Sequence, residues 1–116
     1  MHNIKELKIW QKAIDLAVKV YEISSKFPTD ERFGLVSQTR RCAVSVPSNI
    51  SEGAGRNTKR EFRQFLGIAN GSSYELQTQM IIAEKLGFIN EVDCGKLLDN
   101  RDELQKMNYK LQAALK

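Results

Sequence analysis

Residues 38–63 read QTRRCAVSVPSNISEGAGRNTKREFR, and this stretch decides how the chain is built. Leu35, Thr39, Cys42, Val46 and Ile50 recur at helical spacing and form the core row of a helix expected over about residues 31–51. A second row, Gln38, Arg41, Ser45, Asn49 and Glu52, has the same spacing roughly 100° around the axis and is polar from end to end. Pro47 lacks an amide donor and crowds the carbonyl four residues back, so the helix is expected to kink or break near it. A break would put the two halves of the polar row out of phase. Gly53-Ala54-Gly55-Arg56-Asn57 reads as a loop, and Thr58 followed three residues later by Glu61 is a capping box that opens the next helix.

Working outward, Phe62, Phe65, Leu66, Ala69, Ser73, Leu76, Met80 and Ala83 carry one core face of a third helix to about Leu86, where Gly87 suits a left-handed C-terminal position. Gly67, Gly71, Tyr74, Ile81 and Ile82 point the other way. Each interior glycine costs about 1 kcal/mol relative to alanine, so close approach of another helix backbone is expected there. Asn90 and Asp93 open a fourth helix with Leu97, Leu104, Leu111 and Leu115 along one seam. At the other end, Leu7, Trp10, Ile14, Ala17 and Tyr21 mark the core face of a first helix over about residues 7–25, which Pro28 ends. Thr29 or Asp30 is the expected cap of the second helix. Ile9, Leu16, Val20 and Ile23 form a further apolar row on the first helix, which implies deep burial or contact with another subunit. Four amphipathic helices with short connections, and no alternating strand pattern, predict an all-α, antiparallel up-and-down four-helix bundle with a single domain over residues 1–116.

Composition narrows the function. The stretch 38–63 holds Arg40, Arg41, Arg56, Lys59, Arg60 and Arg63 against Glu52 and Glu61, which equals the +4 net charge of the whole chain. Helix N-termini expose unpaired amides and positive dipole, and Gly53 and Gly55 allow close backbone approach. Arg40, Arg56, Lys59, Arg60 and Arg63 are therefore the candidate contacts to nucleic-acid phosphates. Aromatic residues there are limited to Phe62 and Phe65, both on the core face, so binding is expected through phosphates rather than base stacking, with strong salt dependence. Gln38, Arg41, Ser45, Asn49 and Glu52, with Glu75, read instead as a structural polar network. Were Arg41 buried, it would need an anionic partner such as Glu52 or Glu75.

His2 is the only histidine, and Cys42 and Cys94 are far apart in sequence. That pattern argues against a His-assisted nucleophile, a metal cluster or a disulfide framework, so the expectation is no enzyme, no cofactor and no metal. No long apolar run exists and the N-terminus carries a charge every few residues, so a cytoplasmic protein without a membrane span is expected.

Several local patterns carry a resemblance: Trp10-x-x-Ala13, Phe27-Pro28, Phe33-Gly34-Leu35, Gln38-x-x-Arg41, Ser45-x-x-x-Asn49-Ile50-x-Glu52-Gly53 with Gly55-Arg56, and Phe65-Leu66-x-Ile68-Ala69-x-Gly71-Ser72-x-x-Glu75-Leu76. In these the chain resembles the bacterial 23S rRNA intervening-sequence proteins over nearly its whole length, with Cys42 and Ser51 where alanine is expected. The resemblance implies a four-helix bundle and a pentameric ring. It also implies kinship with the accessory variability determinant proteins of diversity-generating retroelements, basic bundles that bind nucleic acid and a reverse transcriptase. The family has no catalytic residues to carry over. The expectation is a non-enzymatic, homo-oligomeric nucleic-acid-binding protein with RNA preferred, and the alternative is a protein-interaction scaffold.

Overall fold

The computed structural model describes residues 3–116; His2 lies outside them. Four helices follow one another: α1 (Lys8–Ser24), α2 (Leu35–Ala54), α3 (Lys59–Lys85) and α4 (Glu91–Ala114), with single 3₁₀ turns at Ile4–Glu6 and Thr29–Glu31. Each packs on its sequence neighbours, and α4 closes back on α1. The connections are short, so neighbours run antiparallel and the fold is the expected four-helix bundle. At 1.5 Å per residue α3 is about 40 Å long, close to the 43 Å long axis of the molecule. The bundle is thus one helix long.

Three helix ends follow the sequence. Thr58 Oγ1 accepts from the Glu61 amide at 3.1 Å and donates to the Glu61 carboxylate at 3.0 Å, so Thr58 caps α3 with Glu61 as its partner. Asn90 caps α4 through the Asp93 amide at 2.8 Å. Gly87 has φ 78°, and the Phe88 and Gly87 amides donate back to the Ala83 and Glu84 carbonyls at 2.9 Å, a Schellman ending that favours glycine.

Two boundaries differ. α2 begins at Leu35, because Thr29–Glu31 forms a separate 3₁₀ turn and neither Thr29 nor Asp30 is the cap. The Glu31 carboxylate instead accepts from the Leu35 amide at 3.2 Å. At its other end α2 continues through Gly53 and Ala54 and does not break at Pro47, so the polar row stays in phase along its length. Gly53 is accordingly not a ligand-facing loop residue. A Cβ built on it would lie 2.7 Å from Phe65 Cβ and 3.2 Å from the Phe62 carbonyl. Only glycine lets α2 and α3 approach this closely at their hairpin.

On α1 the faces are exchanged in part: Ala17 of the expected row is buried and Leu7 packs against the core, but the other row lies deeper. Ile9, Ala13, Leu16 and Val20 are buried in the core, whereas Trp10 and Ile14 are half-buried and Tyr21 is 44% exposed. Both rows have helical spacing, and periodicity alone does not say which one meets the core. The remaining core comes from Val46 and Ile50 of α2, Leu66, Leu76 and Met80 of α3, and Leu97 and Leu104 of α4.

α4 also brings a cation into this core. Arg101 is 2% exposed; its Nε donates to Ser73 Oγ at 2.9 Å and to the Ser73 carbonyl at 3.2 Å, and Nη1 pairs with Asp102 at 2.8 Å. Its guanidinium lies 4.4 Å from the Tyr74 ring. Nearby, buried Asn108 donates to the Leu66 carbonyl at 2.9 Å. Buried groups of this kind fix the α3–α4 register, since any slip strands them.

Gly53→Ala should destabilise the fold by about 1–3 kcal/mol through overpacking, measured as a lowered urea midpoint. An unchanged midpoint would show that the hairpin relaxes around the extra methyl.

Candidate nucleic-acid interface

The close α2–α3 approach sets the position of the first turn of α3. With Thr58 as its cap, the amides of Lys59 and Arg60 have no intrahelical acceptor, and both side chains are exposed with no hydrogen bond or ion pair among the described residues. They are free cations at this end of the bundle.

The other three proposed phosphate contacts are held by the protein. Arg56 pairs with Glu52 at 3.2 Å and reaches Glu61 at 4.0 Å, with its guanidinium 4.8 Å from the Phe65 ring. Arg63 is half-buried and donates to the Leu115 carbonyl at 3.3 Å, placing a cation at the C-terminal end of α4. Arg40 does the same for α1: its Nε donates to Ser24 Oγ at 2.8 Å, Nη2 donates to the Tyr21 carbonyl at 3.3 Å, and the group stacks 4.6 Å from the Tyr21 ring. Arg40 therefore ties α2 to α1, away from the α3 start. These partners lie 16 and 52 residues from Arg40 and Arg63 in sequence, beyond what local spacing reveals.

The polar row runs down the α2–α3 seam. Gln38, Arg41 and Glu52 are exposed, while Ser45 and Asn49 are half-buried. Ser45 shares a 2.9 Å hydrogen bond with Ser72 of α3, and Asn49 Nδ2 donates to the Ser45 carbonyl and hydroxyl at 2.8 and 3.0 Å. Glu52 pairs with Arg56 and not with Arg41, which has no hydrogen bond or ion pair among the described residues. Glu75 is exposed and accepts from the Cys42 thiol at 3.3 Å. Only the middle of the row makes contacts across the α2–α3 seam.

Cys42 sits at the base of this seam. Burial, then its bond to the Glu75 carboxylate, push the thiol above its ordinary value of 9.0. At neutral pH it is therefore a neutral donor to Glu75.

A second surface was hidden in the sequence by the exchanged faces of α1. Trp10, Ile14, Val18 and Tyr21 of α1 with Val44 and Pro47 of α2 line an open apolar groove of about 690 Å³. On α3, Gly67 and Gly71 have open space where a Cβ would stand, beside exposed Ile68 and Ile82. The close approach expected from their cost is therefore not made by a helix of the same chain.

A family model described as 23S rRNA-intervening sequence protein matches residues 5–110, and the chain belongs to that family. Among solved structures, the bundle is similar to the crystal structure of a protein of unknown function from the S23 ribosomal protein family of Bacteroides thetaiotaomicron. The TM-score is 0.83 at 17% sequence identity, over 90% of this chain and 97% of that one. At that identity the likeness speaks for the fold. No curated protein matches the chain.

The raised thiol has a consequence for stability. The folded chain holds the Cys42 proton more tightly than the unfolded one, so the stabilisation is fully present below the ordinary value of 9.0 and is lost as pH rises toward the folded value. Urea midpoints should fall as pH rises above about 9, and fall less in Cys42→Ala. An equal fall in both proteins would remove Cys42 as a source.

Proposed function

We propose that this protein is a non-enzymatic, self-associating, cytoplasmic bundle that binds nucleic acid, RNA in preference, through phosphate contacts at the start of α3. The observation that carries this reading is the pair Lys59 and Arg60, exposed and unpaired at a capped helix N-terminus, where charge, dipole and free amides all favour an anion. Arg56 and Arg63 add positive potential while anchored to the protein. Membership of a family described by an rRNA intervening sequence supports RNA as the partner.

Self-association draws support from the two unlike apolar surfaces. The groove of α1 and α2 and the glycine-containing face of α3 lie on different helices, and a contact between unlike faces propagates head to tail, giving a ring where its rotation closes. The same groove favours the second reading, a scaffold for a protein partner without nucleic-acid contact.

Fluorescence anisotropy of a single-stranded RNA across salt concentrations separates the two. Lys59→Gln with Arg60→Gln should weaken binding at low salt and reduce the slope of log affinity against log salt by about 1–2. Weak binding that ignores salt and the substitutions would favour the scaffold. For self-association, light scattering at micromolar concentration should give a multimer, and Gly71→Leu, placed in open space, should leave the helical content intact while lowering the mass. A monomeric wild-type chain would refute the ring.

A further inference from the structure

In the half of the α2–α3 seam away from the hairpin lies an open polar cleft of about 420 Å³, formed by Gln38, Arg41, Ser45, Ser72, Glu75 and Gln79 around the Cys42 thiol. Arg41 and Glu75 are both exposed on it, yet no ion pair joins them among the described residues. The Cys42 thiol donates to Glu75 Oε2 at 3.3 Å, and Gln79 Nε2 donates to the same sulfur at 3.4 Å. This arrangement orients the Gln79 amide so that its Oε1 is buried without a hydrogen-bond partner. The cleft therefore offers an exposed acceptor, the Glu75 carboxylate, together with an uncommitted donor fork on Arg41.

We propose that this cleft reads the Watson–Crick edge of an unpaired guanine; the inference rests on the reading of the chain as an RNA-binding protein. Guanine presents two parallel donors, N2–H and N1–H, followed by the acceptor O6. A carboxylate matches the two donors and a guanidinium matches O6. Adenine and cytosine place a ring-nitrogen lone pair where guanine has N1–H, and uracil flanks its single N–H with two carbonyls. Each sets a lone pair against the Glu75 carboxylate, so the cleft discriminates against all three. No aromatic side chain lines it, so recognition is of an edge and not a stacked face. The free base binds weakly and selectivity shows best in a strand whose phosphates are held elsewhere. The polar row supplies the connection: from Cys42 to Gly55 along α2 is about 20 Å at 1.5 Å per residue, past Ser45 and Asn49 to the cationic end.

The test compares uridine oligomers carrying one guanosine, adenosine or cytidine, with guanosine and guanosine monophosphate titrated separately and followed by the Gln38 and Gln79 side-chain amide signals. The guanosine-bearing oligomer is expected to bind about tenfold tighter or more, and Glu75→Gln to abolish that preference while leaving the salt slope unchanged. Arg41→Gln should reduce it. Salt-dependent binding equal for all oligomers and indifferent to Glu75→Gln overturns the guanine cleft and leaves the phosphate reading standing. If no oligomer binds while guanosine monophosphate shifts the Gln79 signal in a Glu75-dependent way, the cleft serves a free guanine nucleotide and the RNA reading falls. Absence of both responses overturns both.

Discussion

The approach of α2 to α3 at Gly53 is the constraint on which the rest depends. A single methyl there would meet the Phe65 Cβ and the Phe62 carbonyl well inside contact distance. With the two backbones this close, Ser45 and Ser72 meet across the seam at 2.9 Å and Cys42 reaches Glu75. The same closeness puts the α3 start beside the end of α2, where Arg56 bridges Glu52 and Glu61. The polar seam and the cationic end are thus two consequences of one glycine.

Charge in this molecule divides by what the backbone offers it. Arg40 and Arg63 each sit at the C-terminal end of a neighbouring helix, bound to carbonyls at Tyr21 and Leu115, where a cation is stabilised by the helix dipole. Arg101 goes further and is buried against Ser73 and Tyr74. At the start of α3 the local ends are amides rather than carbonyls, and there Lys59 and Arg60 remain for an outside partner. This sorting explains why a local net charge of +4 overstates the surface available to phosphate.

Much of this was legible in the sequence because it is local. The capping boxes at Thr58 and Asn90, the left-handed Gly87 and the core rows of α2 and α3 are set within a few residues, and they stand as read. What was not legible depends on partners distant in sequence. Two stripes of α1 have equal helical spacing, and the choice between them is made by α2 and α4, so Ile14 and Tyr21 face a groove, with Trp10 at the border between groove and core. Gly53 carried the same signal as a loop glycine although it packs inside a helix. Arg101 lies four residues after Leu97 and three before Leu104, on the seam of α4, but its charge disguised a buried position whose partners Ser73 and Tyr74 are distant in sequence.

Chemical-shift mapping of the ¹⁵N-labelled chain with single-stranded RNA tests the central claim most directly. The account places the perturbations at Thr58–Arg63, extending along α2 and α3 toward Arg41 and Glu75, with the outer face of α4 unchanged. No perturbation at low salt, or one confined to the apolar groove of α1 and α2, would contradict it.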